Sequence, residues 1–123
     1  MLTTVLVAED EPLIALTVMD ELDEAGFCVI GPFATTSQAL KYCRRHTPDC
    51  AVFDVRLEDG ESFPLADLLT ARAVPVVFHS GHALAPDLTR RYPGVSICPK
   101  PAPAARLAGI VARLRPRLAQ AVA

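Results

Sequence analysis

Cys50-Ala51-Val52-Phe53-Asp54 is a run of four apolar residues that stops on a carboxylate. A short apolar run without alternation reads as a strand covered on both faces, and such strands belong to parallel sheets. Outward from it the same unit recurs. On the N-terminal side, Val5-Leu6-Val7-Ala8 stops on Glu9-Asp10-Glu11, and Phe27-Cys28-Val29-Ile30 stops on Gly31-Pro32. On the C-terminal side, Val74-Pro75-Val76-Val77-Phe78 leads to His79-Ser80-Gly81, and Val95-Ser96-Ile97-Cys98 leads to Pro99-Lys100-Pro101.

Helical periods fill the intervals. Ile14, Val18, Leu22 and Ala25 recur at three or four residues, with Gly26 closing the helix. Thr35 or Thr36 caps a helix that runs to about His46, where Thr47-Pro48-Asp49 breaks it. Asp59-Gly60 marks a turn ahead of a helix bearing Leu65, Leu68 and Leu69. A weaker helix spans roughly Pro86 to Tyr92, and Leu107, Ile110, Val111 and Leu114 stripe the last one, which Pro116 kinks or ends. Five strands, each followed by a helix, predict a doubly wound α/β domain with a parallel sheet.

At 123 residues the chain has the length of one domain, so residues 1–123 are expected to form a single module with no output domain. Apolar residues are 51% and charged residues 21%, as in a compact globule. Twelve basic and fourteen acidic side chains leave a net charge of −2, which speaks against direct nucleic acid binding. No apolar run approaches the roughly 18 residues of a membrane span, and Met1-Leu2-Thr3-Thr4 lacks the marks of a signal peptide. The expected location is cytoplasmic, with no membrane association. Cys28, Cys43, Cys50 and Cys98 form no C-x-x-C pair; Cys28, Cys50 and Cys98 lie in or beside apolar runs and read as small buried hydrophobes.

In a doubly wound sheet, ligands bind beyond the carboxyl ends of the strands. There the chain places Glu9-Asp10, Asp54, Ser80 and Lys100. Two like charges about 4 Å apart repel by about 4 kcal/mol at an effective dielectric near 20, so three converging carboxylates ask for more than one lysine. A divalent cation completes the set, and hard oxygen ligands suit Mg²⁺ better than zinc. A carboxylate so placed can act as nucleophile toward a phosphoryl group, since phosphoryl transfer needs mainly positioning and charge neutralisation.

In this order and spacing, Val5 to Glu11, Ala51 to Leu57, Val76 to Gly81 and Ile97 to Pro101 resemble the receiver domain of bacterial two-component response regulators, of the stand-alone, chemotaxis-regulator-like kind. The resemblance covers essentially the whole chain. It implies a flavodoxin-like sheet of order 2-1-3-4-5 flanked by five helices. It also implies that Asp54 accepts a phosphoryl group from a phosphohistidine donor, with Ser80 and Lys100 binding phosphoryl oxygens. Mg²⁺ would be held by Glu9, Asp10, Asp54 and the backbone carbonyl of Arg56, and the Lys100-Pro101 bond would be cis. Arg56 and His82 stand where the family tunes dephosphorylation. The implied partners are a sensor histidine kinase, a histidine phosphotransfer protein or both. The face made by the fourth helix, fifth strand and fifth helix, roughly Ala83 to Leu114, would serve output and dimer formation.

Three departures accompany the likeness: Glu9 where Asp is commoner, Glu58 in place of a frequent proline, and Ile97 where many members carry an aromatic ring. Such a protein is a signalling phosphoacceptor in a phosphorelay rather than an enzyme on external substrates, limited to self-catalysed transfer and dephosphorylation. Two alternatives are a phosphorylation-independent binding protein of the same fold and an aspartate-nucleophile phosphohydrolase. The second usually carries another Asp two residues past the nucleophile, where this chain has Arg56.

Overall fold

The computed structural model describes residues 3–81, 85–100 and 104–113. In chain order the elements are β1 (Thr4–Ala8), α1 (Pro12–Glu24), β2 (Cys28–Phe33), α2 (Thr36–Cys43) and β3 (Cys50–Phe53), followed by a small hairpin of β4 (Arg56–Leu57) and β5 (Gly60–Glu61). Then come α3 (Phe63–Ala71), β6 (Val76–Ser80), α4 (Ala85–Arg91), β7 (Ser96–Pro99) and α5 (Ala104–Arg113). The main sheet is parallel, in the order β2-β1-β3-β6-β7. With the hairpin set aside, this is the expected 2-1-3-4-5 order.

Period-two alternation sends successive strand residues to opposite faces, and both faces are apolar. Leu6, Ala8, Ala51, Phe53, Val76 and Phe78 pack with Leu65 and Leu69 of α3 and Leu88 of α4. Val5, Val7, Val52, Val77 and Cys98 turn the other way, against Val18 and Leu22 of α1 and Leu107 and Val111 of α5. Two cores under one sheet are the physical reason the strands read as unbroken apolar runs.

The registers set the strand ends level with one another. Ala8 lies opposite Phe53, Phe53 opposite Phe78, and Ser80 opposite Pro99. Glu9, Asp54 and Lys100, each one residue past its strand, therefore emerge along one edge.

Several expectations need adjusting. Strand β2 runs three residues beyond Ile30, through Gly31-Pro32, whose peptide bond is cis. Gly31 sits at φ +122, and a Cβ there would come within 2.5 Å of the Val7 carbonyl oxygen, so only glycine fits this close approach to β1. Helix α2 ends at Cys43 rather than near His46, because the N–H groups of Arg45 and His46 both converge on the Tyr42 carbonyl and tighten the last turn. Cys43, Cys50 and Cys98 are buried, but Cys28 is exposed. Cys28 opens an edge strand that has a neighbour on one side only, so an apolar run there does not guarantee burial. His82, the Lys100-Pro101 bond, Leu114 and Pro116 lie outside the described residues. No described helix is long and apolar enough to cross a membrane.

Candidate functional site

Lys100 organises the strand-end edge. Its ammonium donates to Asp54 Oδ2 at 2.8 Å and to Glu9 Oε1, tying the ends of β1, β3 and β7. Glu9 and Asp54 are 5% and 6% exposed, so these are charges held inside the protein rather than a surface pair. Such an arrangement persists only where the charges compensate one another.

The electrostatics follow from that burial. Desolvation lifts the Glu9 carboxyl above its ordinary range; the Lys100 hydrogen bond and charge oppose the lift, while the charges of Asp54 and Asp10 add to it. Burial works to lower the Lys100 ammonium, but its hydrogen bonds to Asp54 and Glu9 outweigh that and hold it above its ordinary value. His79, half-buried at the end of β6, is lowered by desolvation and by the positive charge of Lys100, with Asp54 pulling the other way.

The backbone around Asp54 is fixed from two sides. Its N–H donates to the Ala8 carbonyl at 3.3 Å, which continues the β1–β3 ladder one step past the strand. Its carbonyl accepts the Ser62 hydroxyl at 2.6 Å, and the Ser62 N–H returns to the Val55 carbonyl at 2.7 Å. Ser62 is fully buried. Arg56 contributes its backbone N–H to Asp54 Oδ1 at 3.2 Å, while its side chain is exposed. The chain thus doubles back over the carboxylate that ends β3.

Ser80 is buried at the end of β6, and its carbonyl accepts the Lys100 N–H at 3.3 Å. Gly81 lies so close to β7 that a Cβ on it would meet Lys100 Cβ at 3.4 Å. Of the residues singled out by sequence, Glu9, Asp54 and Lys100 meet through their side chains. Ser80 joins Lys100 through the backbone, and Asp10 is exposed beside Glu9. The crowding of carboxylates is therefore answered in part by one lysine placed between two of them.

Among the described residues, no three His, Cys, Asp or Glu side chains stand close enough to cage a metal unaided. The donor chemistry nonetheless suits a hard cation. Glu9, Asp10, Asp54 and a backbone carbonyl are all oxygen ligands, and Glu9 Oε2 is buried without a hydrogen-bond partner. A buried carboxylate oxygen left in that state is costly unless a cation or water satisfies it.

Sequence reasoning missed Ser62 and Asp59. In the sequence Asp59 marks only a turn, yet its carboxylate accepts the N–H groups of Thr36 at 2.8 Å and Ser37 at 3.1 Å. Together with the Glu58 N–H on the Ala34 carbonyl at 3.2 Å, it fastens the hairpin behind Asp54 to the start of α2. The available signal was a carboxylate in a turn and a helix start with orphan donors, but nothing local paired the two.

Comparison with known proteins gives concordant results. The sequence pattern described as "Response regulator receiver domain" matches residues 5–107. The transcriptional regulatory protein PdtaR of Mycobacterium tuberculosis is 30% identical over 74 residues, 59% of this chain and 36% of that protein. The phyllosphere-induced regulator PhyR of Methylorubrum extorquens is 37% identical over 81 residues, 63% of this chain and 30% of its own length. The alignments thus span about a third of these curated relatives. Among solved structures, SdrG from Sphingomonas melonis Fr1 superposes with a TM-score of 0.76 at 34% identity, over 92% of this chain and 96% of that one.

Proposed function

Because the chain belongs to the response regulator receiver domain family, a family of signalling domains, we propose that it accepts a phosphoryl group on Asp54 from a phosphohistidine donor and passes on a signal by the resulting change of charge. The observation that carries this reading is the buried Glu9–Lys100–Asp54 cluster at the carboxyl edge of the sheet.

In the proposed step, a carboxylate oxygen of Asp54 attacks phosphorus. The new O–P bond forms as the N–P bond to the donor imidazole breaks, and the electron pair returns to that nitrogen, which takes up a proton. Lys100, already beside Asp54, moves its positive charge onto the incoming phosphoryl oxygens. The buried Ser80 hydroxyl supplies a further hydrogen bond, and Ser62 holds the Asp54 backbone so that the attacking oxygen keeps its direction. Glu9, Asp10, Asp54 and the Arg56 carbonyl are the groups that would hold Mg²⁺, which when bound supplies charge neutralisation for the phosphoryl oxygens.

The partners proposed on this reading are a histidine kinase or a histidine phosphotransfer protein. The modified Asp54 would carry close to two negative charges where one stood, which biases an existing equilibrium between conformations rather than building a new fold. The α4–β7–α5 face is proposed for output or self-association, and a cytoplasmic setting fits such partners.

Phosphoramidate tests the reading, since its P–N bond resembles that of phosphohistidine. Phosphorus NMR of the protein with phosphoramidate and Mg²⁺ should show an acyl-phosphate resonance that EDTA prevents and Asp54→Asn abolishes. The same resonance in Asp54→Asn would overturn the assignment.

A further inference from the structure

Away from the strand-end edge, an open groove of about 460 Å³ runs along the flank of α2 beside Pro32 and Phe33 of β2. Its volume lies within the roughly 300–1,000 Å³ of small-molecule sites. Three rings form a ladder within it. Tyr42 stacks on His46 with centroids 4.9 Å apart and planes 26° apart, and Phe33 lies 5.8 Å from Tyr42. His46 is exposed at the outer end of the ladder.

Lys41 and Arg45, one helical turn apart, line the same groove, and no carboxylate lines it. Neither forms a salt bridge to a carboxylate among the described residues. Lys41, Arg44 and Arg45 place three positive charges within five residues, in a chain whose net charge is −2. The local field is therefore opposite in sign to that of the whole molecule.

Rings beside unpaired cations call for a planar group that carries a negative charge. A base can stack on an exposed aromatic face, while an arginine fork and a lysine point charge take phosphate oxygens. An extended acidic peptide fits less well. The β2 edge it would have to join is blunted by Pro32, which lacks an N–H, and by the register shift against β1 between Leu6 and Ala8. A long nucleic acid would meet a surface whose overall charge repels it.

We infer that the Phe33–Tyr42–His46 groove binds a free nucleotide, its base stacked on the rings and its phosphates on Lys41 and Arg45. This site is separate from Asp54 and uses none of its residues.

The test is a titration of the ¹⁵N-labelled protein with ADP, followed by NMR, with adenosine, pyrophosphate and a ten-residue single-stranded DNA as parallel ligands. ADP should shift the amides of residues 38 to 46 saturably, with half-saturation below about 1 mM. Adenosine and pyrophosphate should each bind at least about tenfold more weakly. Arg45→Glu and His46→Ala alter exposed side chains; each should weaken ADP about tenfold and leave phosphorylation at Asp54 unchanged. Absence of saturation by ADP, pyrophosphate binding as tightly as ADP, or single-stranded DNA binding more tightly than ADP would each overturn the inference.

Discussion

Asp59 accepts the backbone N–H of Thr36 at 2.8 Å, so a residue behind the candidate phosphoacceptor closes the N-terminus of a helix that lies elsewhere in the sequence. A second bond, from Ser37 N–H at 3.1 Å, makes the contact bidentate. The Thr36 N–H first, and then the Ser37 N–H, hold the Asp59 carboxyl below its ordinary range, against the opposing effect of desolvation.

That depression fixes the direction of a pH effect. A group whose pKa falls on folding contributes stability that is present above its unfolded value, near 3.9, and is lost as the pH drops through the folded value. Asp59→Ala should cost about 0.5–1 kcal/mol at pH 7, the lower part of the capping range, because the carboxylate is solvent-exposed. Urea unfolding of both proteins at pH 7 and pH 3 checks this. The gap should shrink in acid; a gap that is unchanged at pH 3 contradicts the capping role.

Lys100→Met keeps much of the side-chain length and removes the charge between Glu9 and Asp54. Two buried carboxylates left facing each other should lower stability by about 3–5 kcal/mol at pH 7. Adding Glu9→Gln to that variant should restore part of the loss, because it removes one of the two like charges. Denaturant midpoints of the single and double variants decide it. A double variant less stable than Lys100→Met alone would place the origin of the loss elsewhere.

Ser62→Ala deletes a fully buried hydroxyl that donates to the Asp54 carbonyl at 2.6 Å. The carbonyl would lose that partner in a site closed to solvent, at about 1–3 kcal/mol. The same variant should slow phosphorylation of Asp54 at pH and Mg²⁺ levels where it remains folded. Equal labelling rates in both proteins would reduce Ser62 to a purely structural residue.

Tyr92 ties α4 to α3: its hydroxyl donates to Asp67 Oδ1 at 2.6 Å, and the Arg91 guanidinium sits 4.0 Å from the Phe63 ring centroid beside it. Burial first, and then the Asp67 hydrogen bond, push the Tyr92 hydroxyl up to about 12. A group raised on folding contributes stability that is complete below its unfolded value, near 10, and disappears as the pH climbs through the folded one. Ultraviolet titration of the folded protein should therefore show a late phenolate step that Tyr92→Phe removes. Ionisation of that step near pH 10 would contradict the buried, hydrogen-bonded position.

The strand runs made the sheet legible because each is buried on both faces and ends on a polar residue. Glu9, Asp54 and Lys100 could be placed together from strand count alone, since the winding of the sheet brings carboxyl ends to one edge. What escaped the sequence is long-range and backbone-directed. Asp59 on Thr36 and Ser62 on Asp54 join segments through hydrogen bonds that no periodicity encodes. Cys28 escaped for another reason: edge and central strands share a composition, and only the sheet order separates them. The aromatic ladder beside Lys41 and Arg45 also depends on β2 meeting α2, so the basic cluster near residue 44 had no visible companion.

The most direct measurement is tandem mass spectrometry of the intact chain after incubation with acetyl phosphate and Mg²⁺. The account predicts a phosphoryl adduct confined to the fragments containing Asp54 under mild conditions, and its loss after acid treatment, as an acyl phosphate requires. An adduct on any other residue, with Asp54 unmodified, would contradict it.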